Sequence, residues 1–319
     1  MHEVSISVVI PLYNKEQYIV RALQSIFAQT VNNYEVIVVD DGSTDKGPDI
    51  VEEINDPRAR LIKQRNGGVS AARNRGIEEA KGDLVAFLDA DDEWTPSFLE
   101  TIINLSKSYP EAGVYATAFK TISPNGEIIA PYSKPKIPGL KDNIFHNFFS
   151  AEVNKDLDIH ISSVAIHKVI FKRLGGFLVG ERLGEDLELY CRICIKYPIA
   201  FSYSVCGIYH HDVVNSALQS NIVVNELPFV KTAQTATASI TVDTGLVRDL
   251  KEYIAKHQLW YVRKQVLGGN CEAARMVLKQ CDTTRYYLRK LWWIFWALVP
   301  AKFTRYAFIL NNRCRLILK

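Results

Sequence analysis

Cysteine is sparse in this sequence, six in 319 residues, and the spacing forms no framework. That excludes a small disulfide-stapled fold and fits a reducing compartment. Long apolar runs are missing as well. The longest, LWWIFWALVPA over 291–301, falls short of the roughly 20 residues that span a bilayer. The opening MHEVSISVVIPLYN has neither a cationic leader nor a small-residue cleavage site, so it reads as a first strand and not as a signal peptide. Charge of one sign is not in excess, since 38 Lys and Arg face 35 Asp and Glu. No recognition motif accompanies the basic residues, and nucleic acid is not expected as a partner.

What is present is an ordinary globular composition, 48% apolar and 23% charged, in a chain long enough for one large domain and a smaller addition. Short β-branched runs at 4–10, 34–39, 59–63 and 84–88 alternate with helix-like segments near 16–29, 45–54 and 68–80. The alternation predicts an α/β fold, a mostly parallel sheet flanked by helices. A helix is expected over 96–108 with Pro96 in its first turn, then a strand near 113–122. HISSVAIH reads as a strand, GEDLELYCRICIKY as a helix and IAFSYSVCGIYHH as a further strand. From there the character changes, and residues 217–281 predict a helical hairpin.

In parallel sheets ligands lie beyond the carboxyl ends of the strands. Three strands here end in PLYN, DDGST and DADD, so those loops are expected to meet at one crevice. In GDLVAFLDADDEW, four carboxylates follow an apolar strand, which requires a positive partner. Two readings stand for them. Asp89 and Asp91 offer the hard oxygens that Mg²⁺ or Mn²⁺ takes, whereas Asp92 and Glu93 read as a solvated cap for the following helix. RNGGVSAARNRG opens a helix whose backbone N–H groups suit an anion, but it is neither GxGxxG nor a P-loop. Of Arg65, Arg73 and Arg75 in that stretch, at least one is read as merely solvated. Cys191 and Cys194, one turn apart beside Leu187 and Tyr190, read as core thiols and not as zinc ligands. His160 and His167 receive no role beyond structure or solvent.

The ordered set SVVIPLYNKEQYI, VVDDGSTD, NGGVSAARNRGI, GDLVAFLDADD, GGF and GED resembles the family 2 inverting glycosyltransferases, over roughly residues 4–216. The resemblance implies a Rossmann-like A-type nucleotide-sugar fold as domain 1–216. It implies that Pro11 and Tyr13 line the nucleotide, that Asp41 holds a base, usually uracil, and that Gly68 lets the backbone approach it. Asp89 would sit by the ribose and diphosphate, and Asp91 would ligate the divalent cation, Mn²⁺ or Mg²⁺. Asp186, beside Glu185, would be the general base. His211, chosen over His210, would be a further metal ligand.

Inverting transfer is a single displacement, so it needs one carboxylate to take the acceptor's proton and positive charge for the departing diphosphate. No second carboxylate nucleophile is required, unlike retaining glycosidases. The expected partners are a nucleotide-sugar donor, with UDP foremost, and a hydroxyl of a glycan or lipid-linked acceptor in cell-surface polysaccharide synthesis. Two alternatives remain, a sugar nucleotidyltransferase and a non-catalytic nucleotide-sugar or glycan-binding module. Residues 282–319 carry eight Lys and Arg against Asp282 alone, a +7 stretch on a body of −4. With Trp292, Trp293, Phe295 and Trp296 it suits a helix at a membrane interface. The expected location is therefore cytoplasmic, peripheral on the inner membrane face.

Overall fold

The computed structural model describes residues 4–123, 125–129, 133, 135–181, 183–211, 227–239 and 244–299. The four β-branched runs form parallel strands, β1 (Ile6–Leu12), β2 (Tyr34–Asp40), β3 (Ala59–Lys63) and β4 (Leu84–Phe87), in the order β3-β2-β1-β4. A tight turn cannot join parallel neighbours, so a crossover helix follows each of the first three. These are α1 (Ile19–Phe27), α2 (Gly47–Glu53) and α3 (Val69–Glu79), each inside its expected range.

Alternation along β1 assigns helices to faces. Ile6, Val8, Ile10 and Leu12 share an apolar cluster with Ile19, Leu23 and Ile26 of α1. Val9 points the other way, onto Gly76 of α3, where an added Cβ would stand 2.3 Å from Val9 Cγ1. Glycine is what allows helix and strand to approach so closely. Helices thus cover both faces, which is why β1, β2 and β4 are mainly apolar and buried.

Beyond β4 the sheet becomes mixed. The later strands are β5 (Glu93–Trp94), β6 (Val114–Ile122), β7 (Ile128–Ile129), β8 (Asp142–Phe145), β9 (Val164–His167) and β10 (Ile199–His210). β9 runs antiparallel between β4 and β6, and the order continues β6-β10-β5. The helix expected from residue 96 is α4 (Phe98–Ser108), with Ser97 at its N-cap, so Pro96 lies outside the first turn. α5 (Phe148–Val153), α6 (Lys168–Leu174) and α7 (Glu185–Cys194) complete this part of the chain.

Two compact units divide the molecule, Met1–Glu181 with Glu185–Val214, and Arg182–Gly184 with Asn215–Lys319. The second contains α8 (Pro228–Ser239), α9 (Thr244–Gly268), α10 (Cys271–Gln280) and α11 (Tyr287–Leu298). α9 and α10 pack on each other. No helix among the described residues is long and apolar enough to cross a membrane. The part of the basic tail beyond residue 299 lies outside the described residues.

Candidate functional site

The loops after β1, β2 and β4 adjoin. Asn14 N–H donates to Ser43 Oγ at 3.0 Å, and Asn14 Oδ1 accepts from Thr44 N–H at 2.8 Å, tying the first loop to the second. Asn14 has φ 52°, a left-handed geometry that asparagine tolerates better than most residues. Lys15 Nζ reaches Asp91 Oδ2 at 2.6 Å, and Arg21 Nη2 donates to the Asp91 carbonyl, tying the first loop to the third. Pro11, opposite Val39 in β2, lies past the last β1–β4 pair at Val9–Phe87, so its missing N–H leaves that ladder intact. Tyr13 is exposed at 48% and free to meet a ligand.

Asp41 is buried, and its carboxylate is already engaged. Oδ1 accepts from Gln64 Nε2 at 2.7 Å and Gly67 N–H at 2.9 Å, and Oδ2 accepts from Gly68 N–H at 2.8 Å. It thereby shapes the turn that opens α3. Gly68 has φ 87° and nothing within 4 Å of where a Cβ would stand, so the backbone there is open to close approach.

Asp89 continues the side of β4 that carries Val85 and Phe87, away from the α1 cluster and towards α3. There it meets Arg73, only 2% exposed, whose Nη2 lies 2.8 Å from Asp89 Oδ1 and whose Nη1 lies 2.9 Å from Glu185 Oε1. Burial alone would lower the Arg73 guanidinium, but Asp89 and Glu185 raise it above its ordinary value. Burial works against Asp89 in turn, yet Arg73, foremost among the charges beside it, draws its carboxyl below the usual range. The acids therefore find their positive partners within the chain, Arg73 and Lys15. The sequence carried a signal for Arg73, because Ser70, Arg73, Gly76 and Ile77 recur at helical spacing on the buried face of α3. Arg75 is solvated and pairs with Glu79 at 2.7 Å.

Asp186 stands at the start of α7, partly covered, with Oδ1 accepting from Leu187 N–H at 2.8 Å. Burial first, then the neighbouring Glu185, pushes its carboxyl up to about 6. Tyr209 also belongs here. Burial raises its hydroxyl first, and the charges of Asp92, Asp89, Asp91 and Asp186 add to that.

Two expectations need correction. Asp92 is not a solvated cap but fully buried, paired with Ser162 Oγ at 2.5 Å and accepting from His210 N–H at 3.1 Å. Burial, then Asp91 and Asp89, raise its carboxyl well above the ordinary range. Glu93 is not a cap either, because β5 pairs antiparallel with β10 and brings its Oε1 to 2.9 Å from His210 Nε2. That bond lowers the Glu93 carboxyl, outweighing burial, which works the other way. His160, given no role beyond structure or solvent from sequence, packs on Tyr209 with the rings tilted and centroids 4.3 Å apart, and its Nδ1 accepts from Ser162 N–H at 3.3 Å. Burial lowers its imidazole to about 4, so it is neutral at physiological pH. Cys191 and Cys194 are buried, free thiols, as core residues should be.

For a divalent cation, Asp91 supplies a hard carboxylate of which one oxygen is paired with Lys15. His211 is exposed, with its ring edge-on to Tyr209 at 4.7 Å. Among the described residues no group of three or more His, Cys, Asp or Glu could cage a metal. Magnesium commonly takes one or two carboxylates and completes its shell with water and phosphate oxygens. The donor chemistry therefore fits a cation shared with a diphosphate and not a cage made by protein alone.

The family described as glycosyl transferase family 2 matches residues 7–170. The uncharacterized glycosyltransferase YibD of Escherichia coli (strain K12) is 45% identical over 103 residues, 32% of this chain and 30% of YibD. An uncharacterized glycosyltransferase of Rickettsia felis is 31% identical over 208 residues, 62% of this chain and 32% of that protein. The matched stretches of the foremost curated relatives thus span about a third of those proteins' own length or less. Among solved structures, residues 1–349 of S. aureus TarS in complex with UDP-GlcNAc superpose with TM-score 0.68 at 18% identity. The superposition covers 96% of this chain and 92% of that one, a likeness of fold.

Proposed function

Since the chain belongs to glycosyl transferase family 2, whose match covers more than half of it, we propose that it transfers one sugar, with inversion, from a nucleotide-sugar to a hydroxyl. The donor is a UDP-sugar, in line with the UDP-GlcNAc held by TarS. The acceptor is a glycan or lipid-linked glycan of a surface polysaccharide. The observation that carries this reading is Asp186, a carboxyl raised to about 6 at a helix start, beside the Arg73–Asp89 pair.

Asp186 is the proton acceptor. A carboxyl near 6 is ionised at neutral pH yet more basic than an ordinary aspartate, which favours taking a proton from an attacking hydroxyl. Arg73 fixes Asp89 and Glu185, so the acids keep their places as ligands enter. Pro11, Tyr13 and Gly68 offer surface to the nucleotide, with Asp41 holding the Gly67–Gly68 turn for the base. Asp89 takes the ribose side. Lys15 stands where its ammonium can turn from Asp91 to phosphate oxygens. Asp91 and His211 would hold a Mn²⁺ or Mg²⁺, which would supply positive charge for the departing diphosphate.

A panel of nucleotide-sugars screened by thermal shift, with and without Mn²⁺, tests donor and metal together. A UDP-sugar should raise Tm when the cation is present, because a bound ligand stabilises the folded state, and EDTA should remove the shift. A shift of equal size with chelator would remove the cation from the reading. Silence to every UDP-sugar would remove the donor.

A further inference from the structure

α11 shows two opposite faces. Trp293 and Ala297 are buried where the helix packs on α9 and α10, and Arg275 Nη1 donates to the Ala297 carbonyl at 2.7 Å. Lys290 Nζ donates to the Cys281 carbonyl at 2.5 Å, a second tie that fixes the rotation of the helix. Tyr287, Leu288, Leu291, Trp292, Phe295 and Leu298 are all exposed, Leu288 to 79%. At 100° per residue these six fall within one continuous sector, opposite Trp293 and Ala297. Soluble surfaces seldom present so contiguous an apolar strip without an occupant.

Charge indicates what the occupant is. Arg285 and Arg289 are exposed beside this helix. Over residues 282–319 the sequence places eight basic side chains against one acid. A second copy docked through the same face would bring that positive charge onto itself. An anionic bilayer surface instead attracts it, while Trp, Tyr, Phe and Leu enter the boundary between headgroups and acyl chains. We propose that the exposed face of α11 docks in the plane of an anionic membrane, Leu288, Leu291, Trp292 and Phe295 inserting and Arg285 and Arg289 meeting lipid phosphates. The helix lies on the bilayer and does not cross it.

The full-length chain can be sedimented with vesicles of phosphatidylcholine alone and with vesicles containing about 30% phosphatidylglycerol. The proposal expects capture by the anionic vesicles, weakening as salt rises. A Trp292→Glu/Phe295→Glu variant should bind at least about tenfold more weakly, with unchanged circular dichroism because both positions are exposed. Arg285→Glu/Arg289→Glu should flatten the salt dependence. Equal capture of wild type and Trp292→Glu/Phe295→Glu would overturn the assignment, as would no capture by anionic vesicles or equal capture by neutral ones. A wild-type dimer, measured by sedimentation equilibrium, that becomes a monomer in that variant would assign the face to a second copy instead.

Discussion

At the scale of single residues, the site is a problem of charge neutralisation with three different solutions. Asp89 and Glu185 share Arg73, Asp91 pairs with Lys15, and Asp92 is buried between two donors, Ser162 Oγ and His210 N–H. The last solution is testable. The two donors reach different carboxylate oxygens, so an amide in that place can accept one of the two bonds through its oxygen, whereas its nitrogen cannot accept the other. Asp92→Asn should therefore cost about 1 kcal/mol, whereas Asp92→Ala, which removes both acceptors, should cost about 2–3 kcal/mol. Urea denaturation of the two variants gives the comparison, and equal losses would show that one accepted bond is worth no more than none. From sequence, Asp92 and Glu93 read as a solvated cap because acids suit a helix N-terminus, and nothing local shows that they are covered. What separates them is β10, brought over them from more than a hundred residues away.

At the scale of elements, the parallel half of the sheet was legible and the mixed half much less so. β1, β2 and β4 are mainly apolar and buried on both faces and announce themselves in the sequence, while β3, at the sheet edge, is only half-buried. β5 and β7 have two residues each, and β8 and β9 four, so pairing partners and not local pattern decide their state. α8 also went unrecognised, for its stretch PFVKTAQTATAS is rich in Thr and weakly patterned. Convergence of the loops followed from strand order, but the Asn14 and Lys15 ties that lock them did not. The α3–β1 contact sets how far Arg73 and Gly68 stand from the sheet. Gly76→Ala should push α3 off Val9, costing about 1–3 kcal/mol and loosening donor binding together with stability. Denaturant midpoints and a donor titration would register both, and an unchanged midpoint would show that the helix has room to spare.

At the scale of the whole molecule, one unit carries the acids and the other carries the basic, aromatic helix face. The motif set pointed to the family from the sequence alone, and the family match and the TarS-like fold agree with that reading. The finer claim, that Asp186 takes the acceptor's proton, is tested most directly by Asp186→Asn with donor binding and turnover measured on the same preparations. Donor Kd should stay within about threefold of wild type while turnover falls at least about a hundredfold, the usual scale of general-base catalysis. Wild-type turnover should decline as pH falls through about 6, where the Asp186 carboxyl gains its proton, and the residual turnover of Asp186→Asn should lack that limb. Near-normal turnover in Asp186→Asn, or an acid limb that survives the substitution, would contradict the account.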